Sequence, residues 1–165
     1  MIILRHGLSL MIVLATAACG FQLRESTELP PQMAFTQFDI ENEYGTLARR
    51  VKVLLEQSDV TFVRGEKATA ILEVPTNKVV TEVLTVGDSA RVREYRISHT
   101  VRFRLIDSEG VEIVPWQTLR QAREISFDEQ EILAASREQE YLKQDLADTL
   151  SRLLVMRLGT ASPVQ

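Results

Sequence analysis

Apolar and polar side chains alternate along residues 91–106, and this run is the clearest signal in the chain. Tyr95, Ile97, His99, Val101, Phe103 and Leu105 fall on one face, and Glu94, Arg96, Ser98, Thr100, Arg102 and Arg104 on the other. Alternation of this length predicts a strand with one buried and one wet face, about 50 Å long at ~3.4 Å per residue. Residues 68–74 and 79–86 are also strand-like, with an interruption at Pro75-Thr76-Asn77. A proline in such a place predicts an edge or a bulge. The short turn at Gly87-Asp88-Ser89 makes the two long segments an antiparallel hairpin. After a tight turn at residues 107–110, residues 111–114 and 118–127 predict a further strand, broken at Pro115-Trp116.

The period changes on either side of these strands. Residues 35–40 predict a short strand with Phe38 and Ile40 on one face, and residues 42–45 carry turn chemistry. Residues 46–57 then repeat at helical spacing: Leu47, Val51, Leu54 and Leu55 share a face, with Arg49, Arg50, Lys52 and Glu56 outside it. A brief strand at residues 60–63 completes a β-α-β opening. At the other end Asp128 is a fitting N-cap with Glu131 three residues on. A helix is predicted from there to about Leu158, with Leu142, Leu146, Leu150, Leu153 and Leu154 in its strongly periodic second half. Ser136 and Gln139 repeat the capping pattern, so a kink or break near residues 135–137 is predicted. Gly159 stops the helix, and residues 159–165 read as a flexible tail.

The N-terminus follows a third pattern. The apolar run of residues 8–17 is too short to cross ~30 Å of hydrocarbon. It has the length of a signal-peptide core, preceded by Arg5 and His6. Ala17 and Ala18 offer a small-residue cleavage site just before Cys19, the single cysteine. That is the arrangement of a bacterial lipoprotein, in which the first mature cysteine is acylated and the leader, residues 1–18, is removed. Thr16 stands where Leu is usual. The plainer reading of Cys19 is a buried free thiol in an N-terminal helix. Two or more acyl chains hold a protein stably on a membrane surface without spanning it. Gly20, in place of the Asp that favours inner-membrane retention, points to the outer membrane. Residues 19–34 are expected to be the lipidated N-terminus and a polar tether stiffened by Pro30-Pro31.

Composition narrows the chemistry. Loss of Arg5 with the leader takes the net charge from -4 to about -5, so nucleic acid is not an expected partner. A hydrophobic fraction of 45 % supports one core and argues against disorder. Residues 35–158 are read as a single domain that folds without disulfides. There is no G-x-S-x-G elbow, phosphate-cradling glycine loop or H-E-x-x-H. One histidine remains after cleavage, and His99 lies on the apolar face, where a core imidazole is the better reading than a general base. With neither a cysteine nor a histidine cluster, no metal site is expected, and the chain is not expected to be an enzyme. Arg91, Arg93, Arg96, Arg102, Arg104, Arg120 and Arg123 concentrate positive charge on the middle strands. They fit either a solvated face paired to Glu94 and Glu124 or a docking face for phosphates or a polar protein wall. Trp116 fits packing or an interface anchor equally.

Cys19-Gly20-Phe21-Gln22-Leu23-Arg24 resembles the start of the LptE family, lipopolysaccharide-assembly lipoproteins of the outer membrane. The resemblance continues through residues 44–51, Glu94-Tyr95 with its strand, and the last helix with Glu138-Gln139. It implies an α+β fold, a two-layer α/β sandwich of two helices on one face of a mixed, mostly antiparallel sheet of about four strands. It implies no cofactor beyond acyl chains on Cys19, and outer-membrane anchoring on the periplasmic side. The implied partners are lipopolysaccharide and the LptD β-barrel, which the protein would plug. The wet strand face, with Arg96, Arg102 and Arg104, would dock against the barrel, whose lumen is polar. Family contacts to lipopolysaccharide are basic residues near the hairpin turn and the start of the last helix. The nearest candidates are Arg91, Arg93 and Arg137. An outer-membrane lipoprotein that instead touches an inner-membrane transporter or a cell-wall synthase is the alternative, and a periplasmic hydrolase is disfavoured by the missing nucleophile and base.

Overall fold

A computed structural model describes residues 28–86, 92–126 and 132–160. Seven elements follow one another: β1 (Phe35–Ile40), α1 (Thr46–Glu56), β2 (Thr61–Phe62), β3 (Ala70–Val86), β4 (Val92–Asp107), β5 (Glu112–Ser126) and α2 (Ile132–Gly159). The strands form one sheet in the order β2-β1-β3-β4-β5. β1 is parallel to both β2 and β3, and the β3-β4 and β4-β5 pairs are antiparallel. Two helices against a mixed sheet is the expected architecture. The strand count is five where about four were expected, because the two-residue β2 is paired to the edge of β1.

α1 is amphipathic, as its spacing requires. Leu47, Ala48, Val51 and Leu55 are buried, and Arg49 and Arg50 are exposed. Its exit is a Schellman-type reversal. The Asp59 amide donates to Glu56 O and the Val60 amide to Leu55 O, while Asp59 adopts φ 63. Val60 and Leu55 both end in the core. The turn from β4 to β5 is pinned by Asp107, whose Oδ1 accepts from the amides of Glu109 and Val111. Gly110 supplies the positive φ of 85 that this turn needs.

The core lies between the helices and the first half of the sheet. Leu72, Val74, Val101, Phe103, Leu105 and Val114 from the strands meet Leu47, Val51 and Leu55 of α1 and Leu150, Leu154 and Leu158 of α2. α2 packs along α1 and across β4 and β5. Arg50 bridges the two helices through a two-pronged contact to Asp148 at 2.7 and 3.1 Å.

Three expectations change. The interruptions at residues 75–77 and 115–116 do not end strands, and at Pro75 the expected bulge is found. β3 and β5 run on, and the register shifts between Glu73 and Thr76 and, opposite Phe103 and Leu105, between Gln117 and Val114. A bulge lets each strand keep its ladder past a residue that has no N–H to give. The last part of the expected tether is packed onto the domain: residues 31–34 form a 3₁₀ turn, Met33 is 0 % exposed, and Leu29 touches the core. The apolar side chains of Leu29 and Met33 explain this, since burying each is worth ~1.5–3 kcal/mol. The last helix is uninterrupted across residues 135–137. The expected cap at Asp128, the turn at residues 87–89 and residues 161–165 of the tail lie outside the described residues, as do the leader, Ala18 and Cys19.

Candidate interaction site

Both helices occupy the sheet face that carries Phe103 and Leu105, so among the described residues the opposite face has no covering layer. On that bare face the register sets side chains in rows across the strands. Asp39, Glu73 and Arg104 form one row; Thr76, Arg102 and Thr118 the next; then Lys78, Thr100 and Arg120; and Glu82, Arg96 and Glu124.

The arginines on this face differ sharply in what they hold. Arg96 binds Glu124 at 2.6 Å. Arg104 binds Glu73 at 2.6 Å and Glu112 at 3.5 Å. The hydrogen bond to Glu73, with the charges of Glu73 and Glu112, holds its guanidinium above its ordinary pKa. Arg102, one row away and exposed, has no carboxylate within reach among the described residues. It lies instead 4.3 Å from the centre of the Trp116 ring, and Arg104 lies 4.6 Å from the same ring. Trp116 is brought there by the Pro115 bulge, which places it on the arginine face opposite Arg104. Stacking on an aromatic face fixes a guanidinium plane while leaving its N–H edge free. The result is a pre-oriented cation with open donors, beside a groove of about 1370 Å³ lined by Gln37, Asp39, Glu73, Pro75, Arg102 and Trp116 among others.

The expected docking arginines are therefore brought to one face, and of these only Arg102 has no carboxylate partner among the described residues. Of the expected lipopolysaccharide contacts, Arg91 lies outside the described residues, Arg93 sits at the outer end of β4, and Arg137 is exposed on the first half of α2. Because β5 ends opposite Glu94, the start of α2 and the outer end of β4 lie at the same end of the molecule. The Trp116 platform was not legible as such. Its signal was the pairing of Pro115 and Trp116 beside an alternating Arg-Phe-Arg, which becomes a stack only once the bulge sets its register.

His99 is buried, with Nε2 2.7 Å from Asn77 Oδ1 and no partner for Nδ1 among the described residues. Burial pushes its pKa below the usual 6.5. Buried on the apolar face and held by Asn77, it reads as a core imidazole. Among the described residues no cluster of three or more His, Cys, Asp or Glu side chains could hold a metal, and no helix is long and apolar enough to cross a membrane.

A family model described as LptE, lipopolysaccharide-assembly, matches residues 35–158. A protein named LPS-assembly lipoprotein LptE from Photorhabdus laumondii is 28 % identical over 151 residues, covering 91 % of this chain and 82 % of its own length. One of the same name from Pectobacterium atrosepticum is 27 % identical, covering 98 % and 90 %. Among solved structures, lipoprotein B from Nitrosomonas europaea superposes with a TM-score of 0.68 at 24 % identity over 83 % of this chain and 88 % of that one. A minor lipoprotein from Acinetobacter baumannii gives 0.66 at 20 % identity, over 81 % and 97 %. The two structures establish the likeness of fold.

Proposed function

The chain belongs to the LptE lipopolysaccharide-assembly family, and from that premise we propose that it acts without catalysis, as a plug and assembly partner of the LptD β-barrel that binds lipopolysaccharide bound for the outer leaflet. Cys19 carries the acyl chains after cleavage behind Ala18, and the anchored protein lies on the periplasmic side of the outer membrane. The bare sheet face docks on the barrel wall. The observation that carries this reading is Arg102, held flat on Trp116 with no carboxylate of its own. A carboxylate on a polar lumen wall would complete it, and Arg and Trp are the side chains that most often dominate an interface. Arg96 and Arg104, already paired within the chain, line that face and lend it shape. Arg93 and Arg137, at the outer end, together with Arg91, are the proposed contacts to lipopolysaccharide phosphates.

The test is a pull-down of the tagged full-length protein from detergent-solubilised outer membrane, with the bound proteins identified by mass. One large β-barrel in near-equal amount supports the reading, and a transporter, a synthase or no barrel overturns it. Replacing Arg102 with Glu and Trp116 with Ala together should weaken the barrel complex about 30-fold, as loss of a ~2 kcal/mol anchor does. Charge reversal at Arg91 and Arg137 should weaken lipopolysaccharide binding while leaving the barrel bound.

A further inference from the structure

β1 has six residues, and only Phe35 and Thr36 have a strand beside them on the β2 side. The Val63 amide still donates to Thr36 O. Gly65, at φ 68, then turns the chain away, its amide held by Gln37 Oε1 at 3.0 Å. Backbone groups alternate between the two sides of a strand. Phe35 O accepts from Thr69 on the β3 side and Thr36 O from Val63 on the other. Phe38 and Ile40 therefore direct their N–H and C=O groups away from β3. Among the described residues no strand lies beside them there. Such an edge is what an extended peptide recognises when it adds a strand to a sheet.

The groove of about 1370 Å³ runs along this edge and reaches Arg102 on the bare face. Its two walls differ. On the helix side Phe38 and Phe62 are half-buried, with ring centres 6.0 Å apart. On the bare side Asp39 is exposed, and Glu41 is exposed at the end of the strand. The other acids of the groove have cations of their own. Glu43 holds Arg64 and Lys52, and Glu73 holds Arg104. Asp39 accepts only from the Gln37 side-chain amide, and Glu41 has no cation partner, among the described residues. The edge thus offers apolar surface on one side and two uncompensated carboxylates on the other.

We propose that an extended segment of the partner barrel adds to this edge as a strand, continuing the line of β2 beside residues 37–40. Successive residues of an added strand meet opposite walls, because the pleat alternates them. Its apolar side chains lie against Phe38 and Phe62, and its basic side chains face Asp39 and Glu41, since opposite charges across a ladder favour the pair. The backbone edge supplies attachment, and the two walls supply the choice of sequence. The proposal rests on the barrel reading and deepens it: the bare face meets the barrel wall, and the edge of β1 takes a strand from the same partner. The groove is continuous from this edge to Arg102, so one partner reaches both. The slot is short, and it acts as a clip at the margin of a larger interface.

Residue-resolved amide exchange tests this, on the full-length chain alone in detergent and on its complex with the barrel recovered by the pull-down. The Phe38 and Ile40 amides should exchange freely in the chain alone and slow at least about tenfold in the complex. Those of Gln37 and Asp39, which face β3, should be slow in both. Asp39→Arg combined with Glu41→Arg should remove the new protection and weaken the complex roughly tenfold. Both side chains are exposed, so an unchanged melting temperature separates a lost contact from a lost fold. A photoreactive residue at position 39 should crosslink to one short barrel segment in which apolar and basic residues alternate. A barrel complex in which Phe38 and Ile40 still exchange freely overturns this inference and leaves the barrel reading standing. Slow exchange at both amides in the chain alone, or crosslinks confined to this chain, overturns it as well, by giving the slot to the chain's own residues. Absence of any barrel complex overturns both.

Discussion

The two ends of the sheet are built to different standards. At the inner end both helices cover the strands, and Phe103, Leu105, Leu150, Leu154 and Leu158 are fully buried. At the outer end the same strands carry Val79 and Val83 in partial contact with water. There α2 presents a polar first half in which Tyr141 is 66 % exposed. One continuous ladder therefore joins a closed core to an open blade. Stability resides in the first, and the surfaces free to meet other molecules lie on the second, on the bare face and at the open edge of β1.

The largest contrast should come from truncation. Phe103→Ala should cost about 3–5 kcal/mol of unfolding free energy, whereas Val79→Ala should stay within about 0.5. Equal losses in urea titrations would erase the distinction. His99 sharpens it, since it is the buried titratable group of the outer half. Its neutral form is favoured in the fold, so stability should hold above pH 6.5 and decline as pH falls below that value toward the lowered folded-state pKa. Asn77 holds its Nε2, Gln121 lies opposite it on β5, and Arg123, opposite Ile97, pairs with Asp145 of α2. A His99→Gln variant should lose this slope while keeping the slopes of the carboxylates at lower pH.

A gain is expected at the inner end. Asp59→Gly should stabilise by about 1 kcal/mol by freeing a left-handed residue from its Cβ. Arg50→Ala should be the smallest effect, below about 1 kcal/mol, because its bridge to Asp148 is more than half exposed on the arginine side. Amide exchange should rank the two ends in the same order, with β3 beyond residue 76 opening before residues 70–74.

The alternation of residues 91–106 and the spacing of α1 made the elements legible, because each periodicity is a local consequence of one buried face. The β3-β4 hairpin was legible in its short turn, and the end of β1 in the turn chemistry of residues 42–45. The remaining neighbour relations were not: nothing local says that β3 returns beside β1 or that α2 leans over β5 and away from β3. At Pro75 the expected bulge is present, because a missing N–H is a local fact; at Pro115 the sequence suggested a break, because there the continuation of the strand depends on its neighbour. The same limit hid the site. Seven arginines were visible, but their division into paired and unpaired depends on cross-strand register.

The two proline bulges flank the same two residues of β4, Phe103 and Arg104, from opposite sides. A bulge bends its strand and adds right-handed twist, and two at one level crease the whole sheet along a single line. The direction of the strands beyond that line is therefore set in part by where two rings interrupt the ladder.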